Sequence, residues 1–167
     1  HGAPWVLTYD NLDDPVGQDL LAEVVRNEIE LLLDGDVFLA LGAGPVCSSL
    51  SIAVTPAVRD AEHPWGRPDI SDKMKHKVAQ GNSFAIWMAQ LVEKWYNKIV
   101  MWVENPCSSF LWQLPPWKRI IERKLLFLKT IDYCRFGTPW RKRTRFAHNV
   151  DALGKDPILC CGGHTHI

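Results

Sequence analysis

Hydrophobic and polar positions alternate between two periods along this chain, and each stretch of one period predicts an element. Residues 5–9, Trp5-Val-Leu-Thr-Tyr9, are β-prone and are stopped by Asp10-Asn-Leu-Asp-Asp-Pro15, a loop by composition. Leu20, Leu21, Val24, Val25, Ile29, Leu32 and Leu33 then recur at helical spacing, and Gly35 ends the run. Residues 36–41 read as a buried strand, so strand, helix and strand follow one another as in a parallel sheet. Residues 51–70 are irregular and hold prolines at 56, 64 and 68, the composition of a long functional or mobile loop. Ser71 predicts a helix cap, with Asp72 in the first turn of a helix running through Met74, Val78, Phe84, Trp87, Met88, Leu91 and Trp95. Gly81 weakens its middle. Residues 99–103 form the next buried strand, ending at Glu104-Asn-Pro106. A short basic helix over about 117–124 follows Pro115-Pro116. Residues 125–133 either extend it or turn into a strand, and 145–150 make a last strand. The pattern is that of an α/β sheet with helices on both faces and ligand sites beyond the carboxyl ends of its strands.

Composition narrows the class. With 167 residues, 47% hydrophobic and 23% charged, the chain is expected to be one soluble globular domain, with no membrane span and no signal peptide. A candidate strand begins within a few residues of His1, so the chain reads as a piece of a longer polypeptide. Five cysteines without regular spacing argue against a disulfide scaffold and suit a reducing intracellular compartment, the nucleus in a eukaryote. Zero net charge hides a division: residues 1–60 set Arg26 and Arg59 against ten acids, a net −8, whereas 117–146 set ten Lys and Arg against Glu122 and Asp132, a net +8. Such asymmetry points to a polyanion on the basic side, with a solvated helix face as the plainer alternative.

Three polar clusters fall at predicted strand ends: Gly44-Pro-Val-Cys-Ser-Ser49, Glu104-Asn-Pro106, and Gly137-Thr-Pro-Trp-Arg-Lys-Arg-Thr-Arg145. In this order they resemble the cytosine-C5 DNA methyltransferase family, and their wording is closest to the methylase-like domains of some eukaryotic retroelements. The first is similar to the family's Gly-Pro-Pro-Cys loop, with Cys47 at the nucleophile position. The second is similar to Glu-Asn-Val, with Glu104 and Asn105 matching. The third, after Tyr133-Cys-Arg-Phe136, is similar to Gly-Val-Pro-Gln followed by spaced arginines. Upstream, Tyr9-Asp10-Asn11 resembles the acidic strand end that holds the ribose of S-adenosylmethionine, and Gln18-Asp19-Leu20 the segment beside its adenine. The resemblance covers about residues 5 to 150. It implies a Rossmann-like S-adenosylmethionine-dependent methyltransferase core over 1–150, truncated at its amino end, with a tail at 151–167.

The chain departs from the family pattern at several places. The glycine-rich first motif is absent, Val46 and Pro106 replace a proline and a valine, and Trp140 replaces glutamine. An ungapped match puts Lys142 and Thr144 at the two arginine positions. A one-residue shift gives Arg143 and Arg145, which we prefer because Phe146 then begins the following strand. No target-recognition domain follows, so weak or no activity is expected of the chain as it stands.

The chemistry gives these residue types independent sense. Cytosine carbon 5 is a poor nucleophile and is activated by adding a thiolate at carbon 6, the role expected of Cys47. Glu104 would hydrogen-bond N3 and the exocyclic amine, offsetting the charge that attack places on the ring. Arg143 and Arg145 would hold the pyrimidine O2 and a neighbouring phosphate. The base would have to leave the stack. Ser48, Ser49, Asn105, Arg141 and Lys142 are the further substrate contacts; Asp10, Asn11, Asp19, Leu20 and Pro45 are those of the donor, S-adenosylmethionine. DNA is the expected partner.

Plainer readings stand beside each of these. A lone cysteine is commonly buried and inert, a lone Glu104 can cap a turn, the arginine run can be solvated surface, and Asp10 and Asp19 can be loop or cap residues. Cys107 matches no nucleophile position and reads as structural. Trp112, Trp117 and Trp140 lie near basic or proline-rich segments, where one could stack on a base. Cys160-Cys-Gly-Gly-His-Thr-His166 lacks a standard finger spacing and reads as a loose tail, with no metal assigned. The alternatives are an RNA cytosine methyltransferase on the same scaffold and a catalytically silent nucleic-acid-binding domain that has lost the donor site.

Overall fold

A computed structural model of the chain describes residues 6–9, 14, 17–45 and 48–166. The chain divides into two compact units, His1–Phe38 and Leu39–Ile167. In the first, α1 (Glu23–Asp34) buries Val25, Ile29 and Leu33 along one stripe, and the N–H of Gly35 caps it by donating to the Leu31 carbonyl. Asp19 accepts the N–H of Leu21 through its side chain, so Leu20 and Leu21 form a turn before the helix instead of its first turn. Val24 and Leu31 are exposed, and the buried stripe is narrower than the periodicity implies. Residues 6–9 form no strand, contrary to their β-prone composition; no ladder takes up their backbone groups.

The second unit is built on a four-stranded sheet in the order β1-β2-β4-β3. β1 (Ala40–Ala43) and β2 (Val100–Pro106) are parallel, with Leu41 opposite Met101, and are connected through α2 (Asp72–Trp95). β4 (Arg143–His148) runs antiparallel to both its neighbours, β2 and β3 (Phe127–Asp132). The sheet is therefore mixed: the short connection 133–142 allows β3 and β4 only a hairpin relation, so the parallel pattern ends at β2. Glu104, Asn105 and Pro106 belong to β2, because β4 pairs with them as far as Pro106 opposite Thr144. Residues 36–39 stay outside β1, since Asp36 takes a left-handed turn at φ 54°. Lys124, at φ 58°, likewise turns the chain after α3 (Pro115–Glu122) and releases 127–132 to become a strand.

Helix α2 begins after Ser71 with Asp72 in its first turn and buries Val78, Ala85, Met88, Leu91, Val92 and Trp95 at three- and four-residue intervals. Asn149 closes its far end: its amide donates to the carbonyls of Tyr96 and Ile99 while its oxygen accepts the N–H of Met101. α3 has prolines at its first positions, where no intrahelical donor is needed, and its buried Trp117 donates from Nε1 to the Ala85 carbonyl of α2 at 3.0 Å. Trp95, Trp117, Leu91, Met101, Leu111, Leu114, Ile120 and Leu126 make the centre of the core, each contributing about 2–3 kcal/mol by burial. Met101, Val103, Asn105 and Ala147 share the buried sheet face; Val100 and Trp102, on the opposite face, remain exposed, so cover on both faces is incomplete there. No described helix is long and apolar enough to cross a membrane.

Candidate functional site

The carboxyl end of β2 is where distant segments meet. Asn105 is fully buried, and its side-chain amide donates to the carbonyl of Pro45 at 3.0 Å, across sixty residues of sequence. Leu50 accepts the N–H of Phe110 at 2.8 Å and the Ser109 hydroxyl at 3.3 Å through its carbonyl. Ser49 is held by Arg59, whose Nε donates to its carbonyl at 2.6 Å. Both flanks of the Cys47 segment are thus tied to the segment that follows Glu104 or to α2. Cys47 itself, with Asp10 and Asn11, lies outside the described residues.

Arg59 is the residue that sequence reasoning missed here. It is only 3% exposed and bonds the carbonyls of Ser49, Pro64 and Val78 and the side chain of Asn82, pinning the irregular loop against α2. Burial pushes its guanidinium down to about 10, so it stays charged at neutral pH. Gly81 belongs to the same arrangement: a Cβ there would stand 2.3 Å from the Ser49 hydroxyl. The glycine in the middle of α2 is a point of close approach, which its helix propensity alone does not reveal. One signal was available, since Arg59 is one of only two arginines in the acidic first sixty residues.

Glu104 sits half-buried beside this loop. A Cβ on Gly44 would lie 3.8 Å from its Oε2, and Lys142 approaches its Oε1 at 3.3 Å. The strand register explains which cation arrives: Glu104 shares its sheet face with Thr144 and Phe146, whereas Arg143 and Arg145 point to the Asn105 face. Arg143 forms a two-pronged pair with Asp132, at 2.9 and 3.0 Å, and Arg141 meets the same carboxylate at 3.2 Å. Arg145 turns its guanidinium to the sulfur of Cys107 at 3.3 Å and stands over the Trp112 ring. Arg143 and Arg145 are therefore not brought to Glu104, and the positions that face it are those of the ungapped match, Lys142 and Thr144.

Asp132 is fully buried, and the Arg143 hydrogen bonds, with help from the Cys160 N–H, hold its carboxyl well below the ordinary carboxylate range. It takes up part of the charge that made 117–146 look uniformly basic. Arg119 and Arg123 also approach Glu93, at 3.7 Å each, on the surface. Of the substrate candidates, Ser48 is exposed, whereas Ser49 is buried and committed to Arg59. Asn105 is committed to Pro45 through its amide, while its oxygen, the Thr144 hydroxyl and Arg145 Nε are buried without a hydrogen-bond partner. These three orphans lie in paired positions of β2 and β4, a concentration of unmet polarity at this strand end. Among the tryptophans, Trp117 is core and Trp112 packs edge-on against it; Trp140, 52% exposed, and Phe136, 59% exposed, are the aromatics available on the 133–142 connection.

Of the donor-binding candidates, Pro45 is buried in the second unit, and Asp19 and Leu20 lie in the first. Asp19 spends Oδ1 on the Leu21 N–H, and the Leu20 carbonyl accepts from Arg26 Nε at 2.6 Å. Elsewhere in the second unit, Cys134, Cys160, His164 and His166 come together, a grouping the spacing within the tail does not reveal. Comparison of the chain with family models, curated proteins and solved structures gives no match.

Proposed function

We propose that this chain carries the base-handling side of a cytosine-C5 methyltransferase acting on DNA, built on a Rossmann-like sheet. The observation that supports this most is the Asn105–Pro45 hydrogen bond, which ties a residue two before Cys47 in sequence to the residue after Glu104. In this reading the Cys47 thiolate adds to carbon 6 of an extruded cytosine, and Glu104, as the carboxylic acid, donates to N3 and accepts from the exocyclic amine. Lys142, rather than an arginine, supplies the cation on the face of Glu104 and meets the pyrimidine O2 or a phosphate when the base arrives. Trp140 and Phe136 are exposed surfaces for stacking on the bases left behind. Arg141 and Arg143, locked on Asp132, set the shape of the basic surface more than they add free charge to it.

S-adenosylmethionine is the methyl donor this chemistry requires. Asp19 spends one carboxylate oxygen on the Leu21 N–H, the Leu20 carbonyl accepts from Arg26, and Asp10 and Asn11 lie outside the described residues, so no step is drawn through the donor. The second reading is a nucleic-acid-binding domain without a donor site.

Covalent trapping distinguishes the two. A DNA oligonucleotide containing 5-azacytosine accepts a thiolate at carbon 6 without methyl transfer; one containing 5-fluorocytosine is trapped only after transfer. Adducts with both, lost in Cys47→Ala, are expected of the full reaction. An adduct with 5-azacytosine alone assigns base handling without donor binding. Salt-dependent DNA binding with neither adduct supports the silent domain and ends the proposal. Matched RNA oligonucleotides decide the polymer.

A further inference from the structure

The segment after Leu159 carries chemistry that cytosine handling does not use. Ile158 first joins the sheet edge, donating to the Thr130 carbonyl and accepting from the Asp132 N–H, each at 2.9 Å. The chain then turns through Gly162, at φ 73°, and returns to the short 3-10 turn after β3. Here Cys134 Sγ, Cys160 Sγ and one ring nitrogen each of His164 and His166 lie within 4.8 Å of one another. Cys160 Sγ stands 3.5 Å from His166 Nε2 and 3.9 Å from His164 Nε2, and the two rings meet edge to face at 4.7 Å.

We infer that Cys134, Cys160, His164 and His166 form a tetrahedral Zn²⁺ site that fastens the carboxyl-terminal segment to the base of the 133–142 connection. Zinc bonds of about 2.3 Å to sulfur and 2.0–2.1 Å to nitrogen put tetrahedral ligand atoms about 3.3–3.8 Å apart, close to the 3.5 and 3.9 Å at which Cys160 Sγ stands from the two imidazoles. Two thiolates and two imidazoles are the ligand types that select this ion over calcium or magnesium. Two thiolates also cancel the charge of the ion, so the site adds none beside the buried Asp132.

The surroundings suit ligation as well. The Gly162 N–H donates to Cys160 Sγ at 3.4 Å, and the Cys160 N–H donates to Asp132 Oδ2 at 2.8 Å, outer contacts that orient a thiolate ligand. The segment contains Gly162 and Gly163, whose ordering costs more entropy than that of other residues, and a metal supplies the offset. Cys161 is exposed and lies 3.6 Å from the other nitrogen of His164, outside the group of four. It is the internal control.

The test uses the whole 167-residue chain, purified under reducing conditions without chelator. Elemental analysis is expected to find one zinc per chain. Titration of the metal-free chain with Co²⁺ should give the visible bands of a tetrahedral ion with two thiolates, with about two protons released per ion bound at neutral pH. Cys161→Ser is expected to keep the spectrum, and Cys160→Ser and His166→Gln to lose its intensity. Cys134 is buried and its variant can fail to fold, so the exposed His164→Gln completes the set. A folded chain, judged by circular dichroism, that takes up neither ion overturns the assignment. So does a Cys134–Cys160 disulfide in the reduced preparation, or a cobalt spectrum lost in Cys161→Ser and kept in His166→Gln.

Discussion

Asn105 holds the candidate site together by a single side-chain bond. Its amide reaches Pro45 from a position with no exposure to solvent, so Asn105→Ala leaves a buried carbonyl without a donor. The expected cost is about 1–3 kcal/mol in a denaturant titration. Adduct formation should fall further than that loss predicts, because the hold of β2 on the Pro45 carbonyl is lost. Glu104 and Lys142 give a second contrast. Glu104→Gln is expected to lower the rate of adduct formation on 5-azacytosine DNA by about 100-fold or more. Lys142→Ala should lower it too, while Arg145→Ala, whose partners are Cys107 and Trp112, should chiefly weaken DNA binding. Equal effects of Lys142→Ala and Arg145→Ala on adduct rate would contradict the division of the two sheet faces.

Among the elements, α2 carries a conflict that a double-mutant cycle resolves. Gly81→Ala gains about 1 kcal/mol of helix propensity, but its methyl group would press on the Ser49 hydroxyl at 2.3 Å. The account expects Gly81→Ala to be neutral or destabilising alone and stabilising by about 1 kcal/mol when added to Ser49→Ala, read as shifts in denaturant midpoint. The hairpin β3–β4 depends on Asp132 in the same way: Asp132→Asn removes the charge that three donors share and should cost about 3 kcal/mol. At its other end lies His148, fully buried, which accepts the Val150 N–H at Nδ1. Burial lowers its affinity for a proton, so as pH falls below 6.5 the unfolded chain binds the proton first. Stability contributed by the neutral ring is full above that pH and lost below it, and His148→Gln should flatten that slope in pH-dependent thermal melts.

On the scale of the whole molecule, local periodicity made α2, α3 and the buried strand after α2 legible, because Trp95, Leu91 and Met101 repeat at spacings set by their own element. Residues 6–9 and the turn before α1 were misread since composition carries no information about a ladder partner. The facing of Arg143 and Arg145 was also hidden: a one-residue choice of register inverts every side chain of a strand, and only the pairing with β2 fixes it. Arg59, Asp132 and the Cys134 cluster are long-range relations among polar residues, for which no periodic signal exists. The proximity of Pro45 to the end of β2 has no periodic signal; it rests on the pairing of Ala43 with Val103 and on the Asn105 amide. The most direct test of that convergence is to trap the chain on 5-azacytosine DNA, digest the complex and locate the modified peptide by mass spectrometry. The account predicts that the base is carried by Cys47 and that Asn105→Ala sharply reduces the yield. Modification at Cys107, or a yield indifferent to Asn105, would contradict it.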